Sequence, residues 1–305
     1  MYFHHNTSER DIDPIAALAT AESQLFGTHD WCSPIAWRHI TASSGLPCLD
    51  LPTRVGGRNW SARQMADIFA CCGRISLNLR DVPGGGHSRL LLGTRQHKYD
   101  NILQNVATAK EFLAIAITEE SSGSDMHDIK TFALPVSGGY QISGRKLYIA
   151  RLSQASRVII FTKVVRREIE AGLTAFVLPI DLPGLICEEI NGVGLEGVSF
   201  GGLRLEDAFV PTSMRVGGEG QGFSLFTKHF AYWRTAMAAA AIGCARGAID
   251  QAINWLRSRQ AFGGPIGRFT HLQQQLAEHV ARLHMVWLLI ISVMERIDAG
   301  LIEEN

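Results

Sequence analysis

The hydrophobic period of the chain changes twice, and this alone restricts the folds open to it. From about Phe112 to Val216 the runs FLAIAIT, KTFALPV, YQISGRKLYIA, RVIIFTKVV, LTAFVLPI, LICEEI and GGLRLEDAFV are short, rich in β-branched and aromatic residues, and divided by turn signals. On either side the period is helical. Upstream, Ser61 is placed to cap a helix over Ser61–Leu79 in which Met65, Ile68, Phe69 and Cys72 share a face. Downstream of Gly220, Phe223, Phe226, Phe230, Trp233, Met237, Ala241, Cys244 and Ala248 follow helical steps, and after the breaker FGGPIG a second helix is expected from Thr270 to Ala299. The expectation is an α+β protein: an N-terminal helical domain (1–111), a central β-barrel or sandwich domain (112–216) and a C-terminal helical bundle (217–305), incomplete because only two of its helices are read.

Composition narrows the function. Twenty-nine Lys and Arg balance twenty-nine Asp and Glu, so there is no bulk charge to attract nucleic acid or an anionic membrane. Six cysteines show neither metal-type pairing nor a secreted disulfide framework, and a cytoplasmic location is expected. The most apolar run, Met285–Met294, is too short to span a bilayer, and the N-terminus has no signal pattern. Glu119 and Glu120 point to opposite sides of a strand and so do not form an acid/base pair. Asp125, His127 and Asp128 lack the further ligands that a metal site needs, and no Rossmann or P-loop fingerprint is present.

Four stretches remain that composition does not explain. ITEESSGSD (Ile117–Asp125) ends a strand in small hydrogen-bonding residues, which let backbone N–H groups approach a ligand. GYQISGRKLYIA, VGGEGQGF and RQAFGGPIGRFTHLQQQLAEH follow in order. Together they run from Ile117 to His279, and they resemble the acyl-CoA dehydrogenase family of flavoproteins.

The resemblance implies FAD as cofactor and an acyl-CoA or acyl-carrier-protein thioester as substrate, oxidised to the α,β-unsaturated product in a pathway such as fatty acid metabolism. Electrons would leave to an electron-transferring flavoprotein, and the assembly would be a homodimer or homotetramer. It implies that Ile115, Ile117 and Thr118 lie along the flavin edge, that Ser124 contacts cofactor and substrate, and that Asp125 pins the turn. Tyr148, Ile149 and Ala150 match the strand on the flavin face. Tyr148 replaces the usual Trp and can still stack, whereas Ala150 lacks the usual hydroxyl, and Arg151 stands for a frequent Asn. Arg234 matches an arginine near the carrier end of the substrate, and its neighbour Ala231 replaces an acidic residue. Arg259, Phe262 and Gly263 would reach a neighbouring subunit's FAD, with Arg259 at the pyrophosphate. Thr270 replaces a cofactor-binding Gln, and Gln273 is retained as a structural residue.

The family's catalytic base is not found within the chain. It is a glutamate either on the first long C-terminal helix, where this chain has Trp233, or further on, beyond Asn305. The expected bundle is roughly eighty residues short of a domain of typical size, and a Gln-x-x-Gly-Gly flavin contact would lie in that portion. The half bundle leaves apolar faces that call for self-association. Two alternatives stay open: a non-catalytic subunit that completes a partner's FAD site, and a flavin monooxygenase of the same fold.

Overall fold

The computed structural model describes residues 13–94, 97–166, 169–194 and 197–301. Four helices, α1 (Pro14–Leu25), α2 (Pro34–Thr41), α3 (Ala62–Ile75) and α4 (Asp100–Ala107), joined by 3₁₀ turns, precede the strands. Ser61 caps α3 as expected, its Oγ accepting from Gln64 N while Gln64 Oε1 accepts from Ser61 N. The helix stops at Ile75, short of the expected Leu79. Ser76 turns extended and its side chain accepts from Asn78 N, which starts a 3₁₀ turn over Leu77–Asp81.

The strands are β1 (Leu113–Ala116), β2 (Phe132–Val136), β3 (Gly139–Ala150), β4 (Arg157–Arg166), β5 (Ile169–Pro179), β6 (Leu185–Glu189), β7 (Phe200–Pro211) and β8 (Arg215–Val216). They form one mixed sheet in the order β6-β7-β3-β2-β4-β5-β8, with β1 also on β4. Both faces of β4 are buried. Val158, Ile160 and Val164 face an inner core with Phe176, Leu203 and Val210. Ile159 and Phe161 face an outer core with Leu103, Val106 and Phe226.

One topological detail positions the site. β1 and β2 lie in succession along the same edge of β4, both parallel to it: Ala116 pairs with Ile160, and Phe132 with Lys163. Between them the chain leaves the sheet at Ile117 and re-enters at Phe132. The small-residue stretch is therefore an excursion from a nearly continuous strand line.

After the sheet come α5 (Gly222–Ser258), a small hairpin of β9 (Gln260–Ala261) and β10 (Gly264–Pro265), and α6 (Thr270–Asp298). α5 crosses α3 at near backbone contact. A Cβ on Gly243 would lie 1.9 Å from Ala70 O, and one on Gly73 1.9 Å from Ala240 O. α6 packs through Trp287, Ile290 and Met294. Its Asp298 carboxylate accepts from Ala62 N (2.7 Å) and Arg63 N (2.9 Å) and so caps α3. Met285, Leu288 and Leu289 on α6 stay exposed. The whole of α6, unlike the run Met285–Met294 alone, is long and apolar enough to cross a bilayer by length and composition. Only 11% of its most apolar 18-residue stretch is buried in this structure.

Gly243→Ala is expected to lower the urea unfolding midpoint by the equivalent of about 1–3 kcal/mol, the range for overpacking a tight contact. Gly123→Ala, where an added Cβ meets nothing within 4 Å, is the control and should change stability by less than about 0.5 kcal/mol.

Candidate functional site

The excursion after β1 is closed by one side chain. Glu119, buried where Glu120 is exposed, sends its carboxylate back to the loop's far end. It accepts from Lys130 N (2.6 Å), Thr131 N (3.0 Å) and Thr131 Oγ (2.5 Å). Lys146 on β3, with no exposed surface, donates to Glu119 Oε1 (2.7 Å) and to Ile117 O (3.0 Å). Burial pushes the Lys146 ammonium down to about 8 against the opposing pull of Glu119. Burial alone would raise the Glu119 carboxyl, but Lys146 and the loop donors outweigh it and hold it below its ordinary value. The turn is finished by Asp125, which accepts from His127 N (2.9 Å), the pinning role expected of it.

The same pin sets the loop against β3. Leu147 N donates to Thr118 O (2.8 Å). At this point the β3–β7 register shifts between Lys146 and Ile149, and Tyr148 takes a left-handed φ of 58°. A non-glycine residue in that region carries strain of about 1–3 kcal/mol. The bulge turns the Tyr148 ring outward, 58% exposed, where it stacks on Phe200 at 5.9 Å. An aromatic ring is thus held exposed beside the backbone of Ile117 and Thr118. No protein hydrogen bond to the Thr118 hydroxyl is seen among the described residues.

The structure therefore brings Ile117, Thr118 and Tyr148 together, with Ile115 half-buried just behind them. Ile149 turns its side chain into the inner core, so only its backbone faces the site. Ala150 is exposed and offers no hydroxyl, and Ser124 is exposed on the loop. Arg234 is exposed on α5. Arg259, Phe262 and Thr270 stand apart, exposed around the α5–α6 turn, with Phe262 at φ 51°. That turn is about 55 Å along α5 from Gly222, at 1.5 Å per residue.

Two features were not read from the sequence. One is the Glu119–Lys146 pin. The other is Arg151, which at a left-handed φ of 64° plunges into the N-terminal helices. Its guanidinium pairs with Asp81 and donates to Asn78 O (2.8 Å).

Lys146→Met leaves Glu119 buried without its cation and is expected to cost about 3–5 kcal/mol. Because the folded Glu119 carboxyl lies below its unfolded value, its contribution is full above the ordinary carboxylate pKa and is lost as pH falls through the folded one. Thermal unfolding between pH 7 and pH 3 checks both points: Lys146→Met should be less stable at pH 7, and the gap should narrow on acidification.

Both the strand region and the C-terminal helical region of the chain match known proteins. Residues 114–208 match the acyl-CoA dehydrogenase middle domain and residues 220–304 the acyl-CoA dehydrogenase C-terminal domain. The mitochondrial isovaleryl-CoA dehydrogenase of Oryza sativa subsp. japonica is 28% identical, over 99% of this chain and 73% of its own length. The L-prolyl-[peptidyl-carrier protein] dehydrogenase of Serratia sp. is 26% identical, over 86% of this chain and 66% of its own. A solved structure described as the FAD complex of PigA superposes with a TM-score of 0.82 at 22% identity, covering 98% of this chain and 81% of that one.

Proposed function

The chain belongs to the acyl-CoA dehydrogenase family, and from that premise we propose that it is an FAD-dependent oxidoreductase that introduces an α,β double bond into an acyl thioester. The observation that carries the reading is the strained, outward-turned Tyr148 beside the pinned edge of Ile117 and Thr118. It is a flat platform next to polar backbone, which is what a flavin ring needs on one face and along one edge. The relatives that act on acyl-CoA and on carrier-bound acyl groups support both carriers as candidates, and the match to an FAD complex supports the cofactor.

In this reading Tyr148 stacks on the ring, and the backbone and hydroxyl of Thr118 bond its polar edge. Arg259, too far along α5 to serve its own chain's loop, pairs with the pyrophosphate bound to a neighbouring subunit. When bound, FAD supplies the hydride acceptor for the β-carbon. The missing hydroxyl at Ala150 costs about 1 kcal/mol of contact and shifts the flavin's potential more than its retention. Electrons pass to an electron-transferring flavoprotein. The exposed apolar positions of α6 are covered in a dimer or dimer of dimers.

A second reading, a non-catalytic subunit, is favoured by Trp233, which fills the helix position that carries a glutamate in one branch of the family.

The test is flavin binding. The protein should bind FAD in preference to FMN, and denaturation should release FAD. Arg259→Ala should weaken FAD by about 10–100-fold, as a charged phosphate contact of about 1.5–3 kcal/mol requires. Unchanged affinity in Arg259→Ala would remove the cross-subunit assignment, and failure to bind FAD would remove the oxidoreductase reading.

A further inference from the structure

One half-buried aromatic side chain outside the four motifs stands directly against the exposed ring of Tyr148. Phe200 opens β7, and its backbone is fixed from three directions. It pairs across the sheet with Ala150 on β3. Its carbonyl accepts from Ile190 N (2.8 Å), just past the end of β6. The carbonyl of Ser199, one residue earlier, accepts from Arg151 N (2.5 Å), and the Arg151 guanidinium is anchored on Asp81 among the N-terminal helices. A Cβ on Gly192 would lie 3.9 Å from Phe200 Cβ and Cδ1, so the chain that follows β6 also passes alongside this side chain.

Tyr148 itself has few other restraints. β3 and β7 pair at Lys146–Leu203 and again at Ile149–Gly201, so Leu147 and Tyr148 together oppose Gly202 alone. In a bulge of this kind the extra residue is left unpaired, and its side chain is oriented by its other neighbours. Among the described residues the Tyr148 hydroxyl has no hydrogen bond, and its ring stacks on no ring but Phe200. The two centroids are 5.9 Å apart and the planes 24° from parallel, which is offset-stacked geometry. Phe200 thus takes one face of Tyr148. The other face is open, on a residue 58% exposed.

Resting on the FAD reading of this site, we propose that Phe200 is a positioning residue: it holds the Tyr148 ring in one orientation, so that the flavin ring is received on the Tyr148 face opposite Phe200. The flavin is then the outer layer of a three-layer stack, and Phe200 does not touch it. A ring already held in place loses little rotamer freedom when the ligand arrives, whereas a ring free to swing must be ordered by the ligand itself. Phe200 therefore acts on flavin affinity only through the ring at position 148. Because Ser199 is tied to Arg151, and Arg151 to Asp81, the N-terminal helices help to set where this backing ring stands.

The test is a double-mutant cycle on FAD binding. Phe200→Leu removes the ring and keeps an apolar strand residue, and Phe200→Met is a second replacement of the same kind. With Tyr148 in place, each should weaken FAD by about 3–10-fold, the range for one aromatic pair. In the Tyr148→Leu background the same changes should weaken it by less than about twofold, since the coupled partner is gone. The second readout is the fluorescence lifetime of bound flavin, which a phenol ring in contact shortens. The lifetime should lengthen in Tyr148→Leu and in Phe200→Leu alike. Phe200→Tyr, which restores a ring, should return both affinity and lifetime to the wild-type values. An equal loss of affinity in both backgrounds, or a lifetime that lengthens in Tyr148→Leu but not in Phe200→Leu, overturns the proposal and leaves the FAD reading intact. If Tyr148→Leu changes neither affinity nor lifetime, the flavin does not lie on Tyr148, and the proposal falls while FAD binding stands. Failure of wild type to bind FAD removes that reading and this proposal with it.

Discussion

The buried ion pair between Glu119 and Lys146 is the constraint on which the rest of the site depends. Taking both charges out of water costs several kcal/mol per ion. The cost is offset because the carboxylate also accepts two backbone N–H groups and the Thr131 hydroxyl, while the ammonium also bonds Ile117 O. A pair bonded in this way need not add net stability. It fixes register: where the chain leaves the β4 edge, where it returns, and which backbone atoms of Ile117 and Thr118 lie beside the β3 bulge. An apolar replacement of similar volume would fill the same space but would not hold the loop's two ends to one point.

The second constraint joins the sheet to the helices. Arg151 leaves the end of β3 for Asp81, Asp50 ties Gly85 and Arg89 to Tyr232 on α5, and Arg38 donates to the carbonyls of Asp81, Val82 and Gly84. These charged links converge on the segment from Leu77 to Thr94. A stretch with little regular helix is thereby held from three sides, by β3, α2 and α5. The α3–α5 crossing, where glycines bring two backbones together, fixes the α5 face that presents Phe226, His229 and Trp233.

Much of this was legible in the sequence. The switch of hydrophobic period marked the three zones because each zone buries one face, and the Ser61 cap and the two long C-terminal helices followed from local chemistry. The β1 run was read through Thr118 although pairing stops at Ala116, since Ile117 and Thr118 keep strand-like character while leaving the sheet. The site was legible where it rests on motif: the loop, Tyr148 and its neighbours. It was not legible where it rests on long-range pairing. One signal was present for the pin. Tyr140, Ile142 and Lys146 fall on the same inward alternation of β3, and a lysine on a buried face demands a carboxylate. Nothing local pointed to Arg151 reaching Asp81, because 70 residues separate the two.

The central claim is that the pinned loop and the β3 bulge form the edge and face of the flavin site. Hydrogen exchange of backbone amides, measured with and without FAD, tests it most directly. The account predicts that FAD slows exchange in two separate segments, 117–124 and 147–150, and that the effect at 117–124 is lost when Lys146 is replaced by Met. Protection confined to other parts of the chain, with these two segments unchanged on FAD binding, would contradict it.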